Sequence, residues 1–433
     1  MKKIFLYNSV IALQTLLALG FQFAFAWRFG ASALSDSYFA GMAVFSLAAG
    51  LTAFFTYMFM QYYNDIKASD KRSAMDFYRA VVTVSLLTGL GVFILLAVSA
   101  RPLISVFAPG FPDSALDDSR SFLLVLGAAL VWTRAVALNN SLINAEMRFL
   151  LPYLMSLAAP AFNILAVIFF SDRFGIEPIA WATLASGLLS FGVSSYFINR
   201  ELGIKLVPLL WHPALPELFR KSLSIRAAYQ VWSFRESLAV NFLSRFPAGN
   251  LSYYFYAVRV LSALFNVVNT PVIHVFAARA SRLVSLRGFA ELRRLTLSTA
   301  VRSGIFFAAA CLPLVFFLPD LLRAFFSHKF SPEDIGRIHI MFLSLLPAYL
   351  GLAGEIPFSN VVAAIKMTGR TMLIYLSGLI VFTVILATLG GRAGIYAVSV
   401  SMFGAQAVVL WGFILSAGSA MSGRTCSGGP ESV

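Results

Sequence analysis

Ionisable side chains are scarce in this sequence. Asp, Glu, Lys and Arg make up 12% of its 433 residues, against about 25% in a soluble globular domain. That scarcity excludes a water-soluble fold, because so few polar groups cannot cover the surface left by 59% hydrophobic residues. Cysteine is scarcer still. Cys311 lies within an apolar run and Cys426 in the tail, which excludes a disulfide framework. His274 and His339 stand alone, and no His/Cys/carboxylate cluster has metal-ligand spacing. No Gly-x-x-x-x-Gly-Lys-Ser/Thr occurs, so the chain is not expected to hydrolyse ATP. No nucleophile–base pair stands out either, and the reading is a transporter rather than an enzyme, without a cofactor or metal. Acids are the rarer charge, 19 against 33 bases, a net +14. In a soluble protein that balance would suggest nucleic acid. Here the bases sit in short loops between apolar runs, the topology signal of an inner-membrane protein, and nucleic acid is not the expected partner.

What the sequence has in excess is apolar stretches. A helix needs about 20 residues to span the hydrocarbon core, and about twelve runs qualify: 4–27, 37–60, 77–106, 121–145, 150–171, 178–199, 225–246, 251–278, 297–318, 335–365, 370–389 and 394–417. They are continuous and lack period-2 alternation, so helices are expected rather than barrel strands. The first run outlasts a signal-peptide core of about 7–15 residues, so it is expected to be a retained span despite the opening Met-Lys-Lys and the Ala24-Phe-Ala26 site. With the N-terminus inside, cytoplasmic segments hold about 20 bases and the opposite segments about 9. Both termini are then cytoplasmic. The expected fold is an all-α polytopic membrane protein with two six-helix lobes, 1–199 and 225–417. A basic, Pro-containing cytoplasmic linker (200–224) joins them, and a disordered cytoplasmic tail occupies 418–433.

The two halves echo each other. Arg28-Phe-Gly-Ala-Ser-Ala-Leu-Ser-Asp36-Ser-Tyr38-Phe39-Ala40 is a polar hinge between apolar runs. About 217 residues later comes Ala248-Gly-Asn-Leu-Ser252-Tyr-Tyr254-Phe255-Tyr-Ala257-Val-Arg259. Phe107-Ala-Pro-Gly-Phe111 is likewise echoed by Phe326-Ser-His-Lys-Phe330. Two echoes at nearly one offset predict a duplicated unit. An even number of helices per half makes it a parallel repeat about the membrane normal.

These marks resemble the MviN/MurJ lipid II flippases, within the superfamily that also holds polysaccharide flippases and multidrug (MATE) exporters. The residues that carry the resemblance are Phe29-Gly30-Ala31, Asp36-Ser-Tyr-Phe39-Ala40, Phe107-Ala-Pro-Gly-Phe111, Ala159-Pro160-Ala-Phe-Asn163-Ile164, Gly249-Asn-Leu-Ser252 and Tyr256-Ala257-Val-Arg259. The sequence departs from the family where arginines would flank Leu19-Gly20-Phe21: Leu17 and Phe23 stand there, and Ala49 stands near another arginine position. The resemblance implies a bacterial inner-membrane flippase that moves a polyprenyl-diphosphate-linked saccharide outward by alternating access. A coupling ion or the membrane potential would drive it. A flippase for an O-antigen or exopolysaccharide unit and a MATE-like cation exporter remain open.

Ionisable residues within apolar helices are costly in lipid and mark a wet cavity or a partner. The candidates are Arg134, Arg235, Glu236, Arg259, Arg302 and Glu355. Arg259 matches the family arginine; with Arg134, Arg235, and with Asp36 and Arg28 at the first hinge, it forms the expected substrate-binding set. Arg235 and Glu236 are adjacent, so they point about 100° apart on a helix and pair poorly with each other. Glu355, beside Pro357, and Glu236 are the expected ion-coupling acids. The plain alternatives are a snorkelling or paired structural arginine at Arg259, an interhelical ion pair at Arg235 and Glu236, and an N-cap of the second helix at Asp36. Pro109-Gly110 suggests a type II turn with positive φ at Gly110.

Overall fold

The computed structural model describes residues 2–365 and 367–422. Among them all regular structure is helical. The helices are α1 (Lys2–Phe29), α2 (Ala33–Thr52), α3 (Phe54–Tyr57), α4 (Phe59–Ser69), α5 (Lys71–Phe107), α6 (Asp113–Ala145), α7 (Leu150–Met155), α8 (Ala158–Phe174), α9 (Glu177–Leu202), α10 (Leu215–Leu243), α11 (Asn250–Ser285), α12 (Phe289–Phe326), α13 (Pro332–Ala364), α14 (Thr368–Ala393) and α15 (Ala397–Met421). By length and composition nine helical stretches among the described residues can cross a membrane, one of them (Gly369–Met421) containing both α14 and α15. Lipid explains the uniformity, since a backbone in hydrocarbon must satisfy its own hydrogen bonds. It also explains the outward side chains: Val98 is 80% exposed and Phe169 68%, which only an apolar solvent tolerates on this scale.

Each apolar run falls on helix, but three are interrupted. The run 37–60 breaks after Thr52 and after Tyr57 into α2, α3 and α4. The Thr52 hydroxyl donates to the Ala49 carbonyl at 3.0 Å and Thr56 to that of Ala53 at 2.8 Å, local bonds that compete with the helical ladder. The run 150–171 breaks between α7 and α8, where Ser156 donates to the Tyr153 carbonyl at 2.7 Å. A 3-10 turn, Gly394–Tyr396, precedes α15. Of the stretch 200–224, residues 200–202 belong to α9 and 215–224 to α10, leaving only 203–214 irregular. Residues 418–421 prolong α15 rather than start a tail. The rest of the expected disordered tail, with Arg424 and Cys426, lies at 423–433, outside the described residues.

The chain divides into two compact units. The first comprises Met1–Arg226 with Pro247–Gly249, and the second Ala227–Phe246 with the described residues from Asn250 onward. In the first, α6 is the hub, packed on α2, α5 and α9. Asn139 of α6 is fully buried. Its side-chain carbonyl accepts from Tyr78 at 2.7 Å, while its amide donates to Ser194 at 2.8 Å and Ser195 at 3.1 Å. That satisfied amide fixes the register of α5, α6 and α9, because a half-satisfied one would cost about 1–3 kcal/mol. Below it Phe59, Tyr63 and Phe77 pack with Leu138, Leu142 and Ile198, Phe59 stacking on Phe77 at 5.7 Å. The irregular strap is pinned to α5. Arg79 Nε donates to the Lys205 carbonyl at 3.0 Å, the Leu209 amide donates to Thr83 at 3.2 Å, and the His212 ring meets the Ser73 hydroxyl at 3.1 Å.

In the second unit α13 is the hub, packed on α11, α12 and α15. Its start is fixed by a capping box between Ser331 and Asp334, with Pro332 at the first helical position. Tyr253 of α11 donates to Asp334 as well, so the same carboxylate caps α13 and ties it to α11. Helix α14 lies close against α15. A Cβ at Gly378 would come within 2.5 Å of Val409 and 2.9 Å of Trp232, so only glycine fits there.

Candidate functional site

The second unit brings four of the expected site residues into one polar cluster, with Glu355 buried and Arg235, Glu236 and Arg259 half-buried. Glu355 on α13 is 2% exposed, and its carboxylate accepts from Gln406 Nε2 of α15 at 2.9 Å. Arg235 on α10 lies within electrostatic reach of Glu355. The Arg235 guanidinium rests over the Trp232 ring at 4.1 Å, and its Nη1 donates to the Trp232 carbonyl at 2.7 Å. Trp232 in turn stacks on Tyr375 of α14 at 5.5 Å. On α11 Arg259 sits two and a half turns in from Asn250, and Tyr349 of α13 hydrogen-bonds Ser262 at 2.8 Å, one turn further on. Tyr349 lies within electrostatic reach of Arg235, Glu236 and Arg259 together, and so marks the centre of the cluster.

What the cluster leaves unpaired is its most informative feature. The Nε atoms of Arg235 and Arg259 are buried without a hydrogen-bond partner. None of Arg235, Glu236, Arg259 and Glu355 joins a salt bridge among the described residues. An unpaired buried donor costs about 1–3 kcal/mol, more when charged. A fold keeps such donors where something else is to be bound. Two forks of donors and two acids sum to roughly zero charge, so neutralising an acid leaves the arginines ready for an anion.

The expected residues of the first unit are not assembled in the same way. Arg28, in the last turn of α1, pairs with Asp172 of α8. Asp36 is buried, and its Oδ2 accepts from the Gly249 backbone amide at 2.7 Å. It is not the N-cap of α2: Ser32 is, in a reciprocal box with Ser35, because the helix starts four residues earlier than the apolar run. Gly249 has φ +94 and a Cβ there would lie 3.1 Å from the Ala31 carbonyl, so the carboxylate grips a backbone site that needs glycine. Arg134 on α6 has a buried, unpartnered Nε, and Arg226 acts on it electrostatically. Arg302 is exposed on α12, as a snorkelling arginine would be. The Pro109-Gly110 turn closes with a Phe111 amide to Ala108 carbonyl bond of 3.1 Å. Gly110 is not among the positive-φ glycines of the described residues, so the turn is not type II. No group of three metal-binding side chains occurs among the described residues.

The sequence profile of the lipid II flippase MurJ family matches residues 25–350, about three-quarters of the chain. The chain belongs to the MurJ lipid II flippase family. The matched span includes α11 with Arg259 and α10 with Arg235 and Glu236, and ends five residues before Glu355. No curated protein matches the chain. Among solved structures, the lipid II flippase MurJ in an inward closed conformation superposes with a TM-score of 0.78 at 18% identity, covering 95% of this chain and 87% of that one. An inward-facing multidrug resistance MATE family transporter of the MOP superfamily gives 0.74 at 18% identity, over 95% and 96%. A MOP superfamily transporter from Pyrococcus furiosus gives 0.67 at 17% identity, over 97% and 94%. At such identities the likeness establishes the MurJ-like helical fold and nothing finer.

Sequence reasoning missed Gln406, Tyr349 and Trp232. Gln406 carried a readable signal, a lone amide inside an apolar run. Tyr349 did not, since a tyrosine in such a run reads equally well as packing.

Proposed function

We propose that this chain moves a polyprenyl-diphosphate-linked peptidoglycan precursor of the lipid II type from the inner to the outer leaflet of the bacterial cytoplasmic membrane by alternating access. Family membership supports the substrate class. The observation that carries the reading is the pair of buried, unpartnered Nε donors of Arg235 and Arg259 in the second unit. A diphosphate cannot enter hydrocarbon unaided, because its charge would lose hydration worth far more than any tail contact returns. Guanidinium forks replace that hydration with charge-assisted, bidentate bonds. Arg259 and Arg235 grip the diphosphate; in the first unit Arg134 is a candidate anion contact of its own, and Arg28 and Asp36 hold the ends of α1 and α2 in place.

Glu236 and Glu355 are the coupling acids. When either takes up a proton or a cation, the field on Arg235 and Arg259 becomes more positive and an anion binds more tightly; on release the acid competes for the guanidinium and expels it. The fold in this reading has twelve spanning helices in two parallel six-helix halves, 1–199 and 225–417, with the 200–224 linker and both termini cytoplasmic. The register of two junctions favours the repeat: Ser119 donates to the Ser37 carbonyl and Tyr253 to Asp334, at separations of 82 and 81 residues.

The test is depletion of the protein in a host without a redundant flippase. Lipid-linked precursor should accumulate on the cytoplasmic leaflet. The presence of two cluster acids favours a second reading, a cation exporter, which predicts unchanged precursor distribution and reduced efflux of a cationic dye.

A further inference from the structure

The irregular strap, residues 203–214, lies against α5 within the first unit, and that helix gives its depth. Between Arg79 and Arg101 α5 carries no ionisable side chain. The two arginines are roughly 33 Å apart along the helix, close to the hydrocarbon thickness of about 30 Å. Arg79 therefore marks one boundary of the hydrocarbon. Arg79 Nε donates to the Lys205 carbonyl at 3.0 Å, at the boundary itself. The Leu209 amide donates to Thr83 at 3.2 Å, roughly 6 Å further in. The His212 ring meets the Ser73 hydroxyl at 3.1 Å, roughly 9 Å outside. The strap thus dips through the boundary and returns. Its deepest polar groups are met, as irregular backbone at that depth requires. The Lys205 carbonyl also accepts from the Val207 amide at 2.9 Å, Pro208 has no amide to satisfy, and Thr83 takes that of Leu209.

The two faces of the strap differ. Ile204 and Leu209 turn inward onto the core around Phe77, and the His212 ring meets Phe77 edge-on at 5.3 Å. Leu206, Val207, Leu210 and Trp211 turn outward, the last two each 64% exposed. This outward face continues one already present on α5. Arg79, Thr83, Leu87, Leu90 and Ile94 recur at steps of three and four residues and so share a helix face. Leu87, Leu90 and Ile94 are exposed there. The exposed charge that adjoins the strap is mostly basic. Lys71, Arg72, Arg200, Lys205 and Arg220 are exposed and join no salt bridge among the described residues. The nearby acids Asp76, Glu201 and Glu217 are taken by Arg79, Arg148 and Lys221.

We propose that the strap is an interfacial anchor that docks on an anionic phospholipid surface. Leu206, Val207, Leu210 and Trp211 enter the boundary between headgroups and acyl chains, where a Trp ring is favoured. Lys205, with Arg200 and Arg220 on either side, meets the lipid phosphates, as bases beside an apolar anchor do. The anchor depends on the bilayer setting of the fold and not on what the chain transports.

The experiment uses the full-length chain with Cys311→Ala and Cys426→Ser, reconstituted in nanodiscs, with a nitroxide at Leu210→Cys or, separately, at Val207→Cys. Both side chains are exposed, so the label displaces no internal contact. Leu95→Cys, on the exposed face of α5, and Ser114→Cys, in the first turn of α6, serve as references. Power-saturation spectroscopy compares collisions with oxygen, which enters lipid, and with a nickel chelate, which stays in water. In nanodiscs of phosphatidylcholine with phosphatidylglycerol, the oxygen-to-nickel ratio at both strap positions should exceed that at position 114 by about threefold or more and stay below that at position 95. Replacing phosphatidylglycerol by phosphatidylcholine, or combining Lys205→Gln with Arg220→Gln, should lower the ratio about twofold. The proposal is overturned if both strap labels are as open to nickel as the label at position 114, which marks a water-facing loop. It is also overturned if they are closed to both reagents, which marks a protein cover, or if the ratio responds neither to lipid charge nor to the paired Gln substitutions.

Discussion

The two units hide their charge in different ways. In the first, Arg134 and Arg226 are half-buried, each with an Nε that has no hydrogen-bond partner, and neither joins a salt bridge among the described residues. The second buries Arg235 and Arg259 among Glu236, Glu355, Gln406 and Tyr349. A site of arginines alone has a fixed charge at every pH the cell meets, because nothing in it titrates. A site that mixes acids with arginines has an adjustable charge. In the reading proposed above, a switched hold on an anion belongs to the second unit, where the acids can change their charge. The buried acids make the same contrast on a smaller scale. Asp36 holds a backbone amide, and Glu355 holds a side-chain amide that can turn away.

The largest effect should come from the mixed cluster. Arg259→Ala removes a bidentate grip worth about 3 kcal/mol, so complementation of a flippase-depleted strain should fall about a hundredfold with membrane abundance unchanged. Arg259→Lys should recover it in part. Arg134→Gln in the same assay should cost about tenfold; equal losses at both positions would erase the distinction between the units. Next comes Asp36. Asp36→Ala leaves the Gly249 amide buried and unpaired, so abundance should drop with a stability loss of about 1–3 kcal/mol. Asp36→Asn keeps an acceptor and should restore most of it. If Asp36→Asn is as damaging as Asp36→Ala, the charge itself matters there.

Glu355→Gln sharpens the contrast between fixed and adjustable charge. It preserves an acceptor for Gln406 yet cannot ionise, so transport should lose its dependence on external pH or cation while the protein remains folded. A mutant with undiminished dependence would move the coupling to Glu236. The smallest effect is expected at the strap. Burial holds the His212 imidazole below its ordinary pKa, against the opposing pull of Asp76. A base whose pKa is lowered by folding is stabilising while neutral. That contribution is present above about pH 6.5 and is lost as the pH falls through the titration range. Melting temperature should therefore drop by about 1–3 °C between about pH 7.5 and 5.5, and His212→Gln should remove the dependence. Amide exchange at Leu209 should rise over the same interval. A pH response centred on α6 instead would mean that the first unit titrates internally after all.

Much of the fold was readable because lipid imposes one rule on every span. The runs 77–106, 121–145 and 178–199 lie wholly inside α5, α6 and α9. Interruptions were not readable, since Thr52, Thr56 and Ser156 break the ladder with local bonds that apolarity does not reveal. The site was legible by cost: Arg235, Glu236, Arg259 and Glu355 were conspicuous because each is expensive in a membrane. Their partners were not, because Gln406 lies 51 residues from Glu355 and Tyr349 lies 87 from Ser262, and no sequence period says which helix faces meet. Asp36 was misjudged as a possible cap because the helix begins in polar residues, before the apolar signal. Gly110 followed from a dipeptide preference that the surrounding helices override.

In the proposed function, unpaired arginines in the second unit carry a diphosphate lipid across the bilayer. This is tested most directly with purified protein in proteoliposomes containing fluorescent lipid II, by following headgroup accessibility to a reagent that cannot cross the membrane. The account predicts that the intact chain speeds the exchange of lipid II between leaflets, that Arg259→Ala abolishes this, and that Arg259→Lys restores part of it. A folded, reconstituted chain that leaves lipid II where it was placed, or an Arg259→Ala protein as fast as its parent, would contradict it.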